Sequence, residues 1–393
     1  MTQVVKTAAD AGDLADAGDV AGLATEPGTE AGAEAGAVVA DAGDVAETAA
    51  ALVAHHRKVV RRRWAIITGL TVLALVFFII STMVGAITIP FTTVVRAILS
   101  PSSVDAQTST VIYSLRLPMA VMALLVGMLL SMAGAQMQTI LSNPLAEPFT
   151  LGVSAAAAFG GASSIVLGWT LIEQPQFNLA LVAWMASMIA AAIIIVFSLW
   201  RGASAETMIL LGIGLVFLFQ ALLALIQYRA SAEALSQIVF WSMGSLTRAN
   251  WIGNSILATV LILAVPIFIA LSWQMSALRL GEARAAAMGV NVKRLRIIVL
   301  LIVSLLAATT VAFAGIIGFV GLVGPHVARM LVGEDQRYFL PASMACGAVM
   351  MSGSHAISLL VRPGLAIPIG IVTALVGVPF FLSIIITRRR AHW

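Results

Sequence analysis

Charge is what this chain of 393 residues has least of, because Asp, Glu, Lys and Arg together make up only 10% of it. Apolar residues make up 60%, and the mean hydropathy is +1.02. Soluble domains are nearer half apolar and a quarter charged. Such a small charged fraction excludes a water-soluble globular fold, because the apolar surface could not be hidden from water. The composition therefore predicts a membrane protein.

Cysteine and phosphate-binding loops are also lacking. Cys346 is the only cysteine, which excludes an internal disulfide, and its place in an apolar run is typical of a small core residue. No Gly-Lys pair occurs anywhere in the sequence, so it has no Gly-x-x-x-x-Gly-Lys-Ser/Thr loop for ATP phosphates. We therefore expect no ATP hydrolysis in this chain, and we predict no cofactor and no metal site.

Carboxylates are nearly absent from the apolar segments. The acids beyond residue 54 lie mainly at a segment start or in connections, namely Glu206, Glu147, Glu173, Glu233 and Glu282. Within the segments the ionisable candidates are His326 and His355, besides Arg329 at a segment end. Proton- or sodium-driven carriers usually place charged groups inside the membrane. An intramembrane enzyme needs a paired nucleophile and base or a metal cluster. Both are disfavoured, so the energy for transport is expected from a partner; a secondary carrier working alone stays the alternative.

The acids are concentrated at the start of the chain. Residues 1–54 hold ten acids and one base, Lys6, whereas the remaining 339 residues hold eight acids and 21 bases. The first segment has no aromatic residue and repeats Ala-Asp-Ala-Gly-Asp, which predicts an acidic disordered tail over 1–54. A basic juxtamembrane segment follows at 55–63, and a membrane domain spans 64–390. The bases flank apolar segments, so they are no signal for nucleic acid.

Ten apolar segments are candidates to cross a bilayer, which takes about 20 helical residues each. They are 64–85, 117–138, 150–169, 178–200, 206–228, 251–273, 295–314, 317–332, 340–361 and 368–387. The prediction is an all-α polytopic membrane protein, with a partial or interfacial helix at 235–246. An even number of spans puts both termini on one side. Cytoplasmic termini place sixteen bases inside and five outside. We predict a multi-pass protein of the cell membrane with both termini cytoplasmic.

A short Ala-rich stretch lies in the segment 279–294, on the cytoplasmic side of this topology. It contains Gly281-Glu282-Ala283-Arg284, and Gly289 is suited to end a helix there. A partner protein could bind such a helix and move it as a rigid body. An ordinary amphipathic loop helix is the other interpretation.

Several motifs occur in order along residues 64–390. They are Arg116-Leu117-Pro118, Asn143-Pro144-Leu145-Ala146-Glu147-Pro148, Trp241-Ser242-Met243-Gly244, Gly318-Phe319-Val320-Gly321-Leu322-Val323-Gly324-Pro325-His326 and Ile367-Pro368-Ile369-Gly370. On these motifs the chain resembles the permease family of iron-siderophore, haem and vitamin B12 ABC importers, the FecCD type. The resemblance leaves out the acidic tail.

The resemblance implies a type II importer fold with ten helices per subunit. It implies a second permease subunit, identical or paralogous, two ATPase subunits and an extracytoplasmic substrate-binding protein. The coupling helix that enters the ATPase would contain Gly281, Glu282, Ala283, Arg284 and Gly289. The expected cargo is an iron-siderophore complex, with haem or cobalamin as alternatives, carried through the bilayer without any enzymatic activity in this chain.

The sequence departs from the family pattern where arginines meet the binding protein. The usual Arg-Leu-Pro-Arg keeps Arg116 but has Met119 in second place. Near the last loop an Asp, an Arg and a Glu of the family are replaced by His355, Leu359 and Ala366. Arg362 lies three residues from the lost arginine, one helical turn away, and could substitute for it. We therefore assign docking to Arg116 and Arg362, and to His326 and His355 either a structural role or a place on the pathway.

Overall fold

The computed structural model describes residues 30–100, 103–201, 204–361 and 366–388, and for residues 30–49 the helical backbone alone. Over these ranges the fold is all helical. The helices are α1 (Glu30–Met83), α2 (Phe91–Leu99), α3 (Ala106–Ile140), α4 (Val153–Leu167), α5 (Pro175–Arg201), α6 (Ala205–Tyr228), α7 (Ala232–Ser242), α8 (Trp251–Leu278), α9 (Glu282–Ala287), α10 (Val292–Ala314), α11 (Val320–Val332), α12 (Gln336–Val361) and α13 (Ile369–Arg388).

The ten predicted spans are confirmed as helices. Within the described ranges, seven helices are long and apolar enough to cross a membrane, and three shorter apolar helices complete the set at Val153–Leu167, Val320–Val332 and Ile369–Ser383. Each of the ten overlaps one predicted segment, and α7 corresponds to the partial helix expected at 235–246. The protein is an all-α polytopic membrane protein, as its composition predicts.

The start of α1 differs from the prediction. The chain divides into two units, Met1–Arg62 and Arg63–Trp393, and α1 begins at Glu30. Residues 30–54 are therefore helical where the sequence predicts disorder. Their many alanines have the highest helix propensity of any residue, and acids near a helix start interact well with its dipole. The rest of the predicted tail, residues 1–29, lies outside the described residues.

The centre of the larger unit is α3, which is buried almost throughout its part Leu117–Ile140 and packs there most extensively against α12. Two glycines of α3 allow this close packing. A Cβ atom built at Gly127 would overlap the carbonyl oxygen of Gly347 in α12, and one at Gly134 would overlap that of Gly321 in α11. Small residues let helices approach where lipid gives no hydrophobic drive for association. These contacts fix the bundle that carries the loops at its two ends.

Candidate functional site

The predicted coupling segment forms a short helix, α9, between α8 and α10. It begins after Gly281, whose φ is 101°. At its end the amide of Val290 donates to the carbonyl of Ala285 over 3.0 Å, and the amide of Gly289 donates to that of Ala286 over 2.9 Å. Gly289 has a φ of 85°, so the helix ends in a Schellman motif with glycine in the left-handed region. Both predicted glycines therefore hold backbone positions that other residues rarely adopt.

One side of α9 is anchored and the remainder is open. Ala285 is fully buried, and Val290 beyond the helix end is buried with it. The other α9 residues are exposed, namely Glu282, Ala283, Arg284, Ala286 and Ala287. The exposed side chains are mostly methyl groups, so a partner protein could approach the backbone closely. The structure thus brings the predicted coupling residues together on one exposed helix.

Arg296 of α10 braces this helix from inside. Its side chain is only 2% exposed, yet its Nη2 donates to Oε1 of Glu282 over 2.6 Å. Its Nε donates to the carbonyl of Ile140, the last residue of α3, over 2.9 Å. One guanidinium therefore connects the coupling helix to the central helix. By its place in the sequence, Arg296 is one of the sixteen bases predicted to be cytoplasmic. Apolar neighbours in the sequence indicate that Arg296 is buried, and a buried charge needs a partner.

A second set of ion pairs lies at the end of the bundle where α9 is found. We call this end the α9 end. Glu334, between α11 and α12, pairs with Arg279 just before α9 and with Nε of Arg329 at 3.3 Å. Nη2 of Arg329 also donates to Oε1 of Gln138 in α3 over 2.9 Å. These contacts link Arg279 through Glu334 to α11 and α3.

The connection between α3 and α4 is tightly folded. The side chain of Asn143 accepts from the amide of Leu145 over 2.9 Å, and the hydroxyl of Thr150 donates to the carbonyl of Glu147 over 2.7 Å. Gly152 then turns the chain into α4 with a φ of 79°. Desolvation by the surrounding protein raises the pKa of the Glu147 carboxyl to about 7. This loop therefore holds an acid that titrates near neutral pH.

Arg116 lies at the opposite end of the bundle, with its donors engaged inside the protein. It is buried, and its Nη1 donates to the carbonyls of Thr82 over 2.9 Å and Met83 over 2.7 Å. Its Nη2 donates to the carbonyl of Ile87. The guanidinium thus satisfies carbonyls that the end of α1 leaves without intrahelical partners. Docking by Arg116 stays a prediction, and Arg362 lies outside the described residues.

The two histidines occupy different environments within the bundle. His326 on α11 is half-buried, with its ring edge-to-face against Phe380 of α13 at 6.4 Å between ring centroids. His355 on α12 is buried, and its Nε2 has no hydrogen-bond partner in the described part of the chain. Over those same ranges, no three His, Cys, Asp or Glu side chains cluster closely enough to hold a metal ion.

Within the described residues, ten apolar helices carry an exposed helix, α9, at one end, the architecture of a polytopic membrane protein. The model of the FecCD transport family matches residues 73–387, and the chain belongs to that family. A protein of Methanocaldococcus jannaschii named as an ABC transporter permease, MJ0087, is 36% identical over 82% of this chain and 94% of its own length. The molybdate import system permease MolB of Haemophilus influenzae is 34% identical over 83% of this chain and 96% of its own length.

Relatives at 32–33% identity are named as permeases for hemin in Yersinia pestis, vitamin B12 in Vibrio vulnificus and Fe(3+)-citrate in Bacillus subtilis. The fold is similar to a solved ABC transporter of the metal-chelate type in an inward-facing conformation. That structure has a TM-score of 0.71 and 33% identity, covering 82% of this chain and 99% of the other. The protein is therefore an ABC importer permease of type II fold, a family in which ATP hydrolysis belongs to a separate subunit.

Proposed function

We propose that this permease forms the translocation pathway for an iron-siderophore complex and that α9 is the helix through which ATP hydrolysis drives it. The observation that carries the proposal is the bracing of α9 by Arg296. An exposed helix that is held by a buried guanidinium can transmit a push to the core without unfolding. A loop helix without this support would absorb the motion instead.

Force on α9 has two routes into the bundle. One route passes from Glu282 through Arg296 to the end of α3. The other passes from Arg279 through Glu334 to Arg329 and Gln138. Both routes converge on α3, the helix that α11 and α12 pack against so closely that glycines are needed. Closely packed helices shift as rigid bodies, which is how alternating access to a central path would arise.

The partners follow from the same assignment. Two ATPase subunits would bind at the α9 end, a second permease copy or paralogue would complete the pathway, and a substrate-binding protein would deliver cargo at the opposite end. The distribution of sixteen bases against five supports a cell-membrane protein whose α9 end and both termini are cytoplasmic. Arg116 and Arg362 are the residues proposed to contact the binding protein.

The cargo assignment is supported by the relatives and by the bundle itself. Their names span hemin, ferric citrate, vitamin B12 and molybdate, and two of these four, hemin and ferric citrate, are chelated iron. A large chelate presents its own ligand shell to the protein, and a path for it needs few charged groups. The apolar segments of this chain are correspondingly poor in carboxylates.

The test is uptake of radiolabelled iron-siderophore, haem and cobalamin into cells that lack this chain, with and without its restoration. We expect selective loss of siderophore iron uptake, restored by the wild-type chain only while an ATPase partner is active. Glu282→Arg should not restore it, because the reversed charge repels Arg296. Glu233→Arg, an exposed acid on α7 away from the α9 end, is the matched control and should restore uptake. Uptake that continues without any ATPase would instead identify an ion-coupled carrier.

A further inference from the structure

Arg248 occupies an unusual position in the loop between α7 and α8. This loop lies at the end of the bundle opposite α9, because α8 begins there at Trp251 and ends at Leu278 beside α9. The guanidinium carbon of Arg248 lies 6.0 Å from the ring centroid of Trp241, which is itself buried. A cation held over an indole face is attracted to it and keeps a defined orientation.

Two donors of this guanidinium are unsatisfied. Nε and Nη2 of Arg248 are buried, and neither has a hydrogen-bond partner among the residues that the structure describes. Leaving a buried charged donor without an acceptor is costly, and each such group calls for an explanation. Arg116, the other buried arginine at this end, differs in this respect because carbonyls accept from it. The contrast marks Arg248 as a residue whose acceptor comes from outside the described chain.

Two cavities adjoin Arg248. The larger has a volume of about 770 Å³, within the usual size range of small-molecule sites, and the smaller about 230 Å³. Six of the twelve residues that line the larger cavity are apolar, and the others are Ser236, Gln237, Trp241, Ser245, Thr247 and Arg248. Among the described residues, no carboxylate lines either cavity. Arg248 is thus a positive charge with hydroxyl and amide groups around it and no protein counter-charge among the lining residues.

We propose that the cavity beside Arg248 and Trp241 binds an anionic group of the cargo, a carboxylate or similar oxyanion of an iron chelate. Nε and Nη2 lie on one edge of the planar guanidinium, and their spacing matches two oxygens of such a group. Arg248 itself lines this cavity. The proposal rests on the proposed function and narrows its cargo to chelates that carry negative charge.

The first test measures binding of radiolabelled ferric citrate to the purified full-length chain in lipid nanodiscs, without any binding protein. We expect saturable binding that R248Q weakens by about tenfold or more, the usual worth of a paired ionic hydrogen bond. R248K keeps the charge but loses the paired donors, so its affinity should lie between the two. R229Q removes an exposed arginine at the same end that lines neither cavity, and it should bind as the wild type does.

Two outcomes would overturn the inference. One is equal affinity of wild type, R248K and R248Q for ferric citrate. The other is an R248Q defect that appears only when the binding protein is added, because that result would assign Arg248 to docking.

A neutral ferric trihydroxamate serves as the charge control and should bind the wild type no better than it binds R248Q. If R248Q fails to fold, R248K and the loss of binding at high salt decide the question.

Uptake kinetics separate this inference from the proposed function. If restored cells take up iron chelates and R248Q raises the KM for ferric citrate alone, both stand. If uptake depends on the chain but R248Q leaves that KM unchanged, the anionic site is wrong and the importer assignment survives. If uptake does not depend on the chain at all, the proposed cargo is wrong. The nanodisc measurement then still tests whether the cavity beside Arg248 binds an anion.

Discussion

Arg296 and Glu282 are fourteen positions apart, and the contact between them joins a buried side chain to an exposed one. The guanidinium is 2% exposed and the carboxylate 58%, with 2.6 Å between Nη2 and Oε1. This asymmetry allows the stability of α9 and its coupling role to be examined separately, because the two residues contribute differently to folding.

Arg296→Gln should destabilise the protein, whereas Glu282→Gln should not. Loss of the guanidinium leaves the carbonyl of Ile140 without its donor, and we expect about 2 kcal/mol of lost stability. The exposed carboxylate of Glu282 contributes little, within about 0.5 kcal/mol. Thermal unfolding of the purified variants in detergent measures both, with the exposed Arg294→Gln as control. Equal midpoints for Arg296→Gln and Arg294→Gln would contradict the bracing role.

Gly289→Val should weaken coupling through backbone strain alone. No heavy atom lies within 4 Å of a Cβ built at Gly289, so the substitution causes no clash. Its φ of 85° nevertheless costs a β-branched residue about 1–2 kcal/mol. We expect reduced co-purification of the ATPase subunits with this variant and near-normal co-purification with Gly289→Asn, since asparagine tolerates the left-handed region. Equal loss with both residues would show that side-chain bulk, not backbone conformation, matters there.

Glu147 should make stability depend on pH. The folded carboxyl has a pKa of about 7, raised from an ordinary 4.5. Between these values the folded state holds a proton that the unfolded state has lost. Stability therefore falls as the pH rises across this window, by about 3 kcal/mol for this group. The check is the difference in thermal midpoint between wild type and Glu147→Gln, which should be larger at pH 8 than at pH 5. A constant difference would exclude the raised pKa.

Arg116→Gln should impair folding more than docking. Its guanidinium is buried and donates to carbonyls near the end of α1, so we expect a loss of about 3 kcal/mol. Arg96→Gln, an exposed arginine of α2, is the control and should leave the unfolding midpoint almost unchanged. Capture by the binding protein should persist in a folded Arg116→Lys variant. Loss of capture with an unaltered midpoint would support the docking role predicted for Arg116.

Gly134→Ala should be poorly tolerated because a single methyl group there would overlap the carbonyl oxygen of Gly321. Overpacking of this kind costs about 1–3 kcal/mol, and here the obstacle is backbone that cannot rotate aside. The matched control is Gly214→Ala in α6, where no atom lies within 4 Å of the added Cβ. That change should raise stability by up to about 1 kcal/mol through helix propensity. The yield of monodisperse protein and the unfolding midpoint measure both effects.

The end of α9 can be predicted from the sequence, but the ion pair that supports this helix cannot. Gly289 predicts the end of a helix because glycine adopts the left-handed conformation at little cost. The partner of Glu282 cannot be obtained in this way. It comes from the next helix, and contact between the two side chains depends on the angle at which α10 leaves the loop. The same reasoning applies to Arg116, whose carbonyl acceptors lie about thirty positions earlier in the chain.

The sequence by itself determined the ten spans, because a helix crossing a bilayer must satisfy its own backbone and be apolar over its own length. The sequence also determined the family, since the motifs that carry the resemblance are local. Only the tertiary structure decided which arginines are engaged inside the protein. Arg116 and Arg296 are buried against carbonyls while Arg248 retains unsatisfied donors beside a cavity. The physical reason is that burial and hydrogen bonding of a long side chain depend on neighbouring helices, which no local pattern specifies.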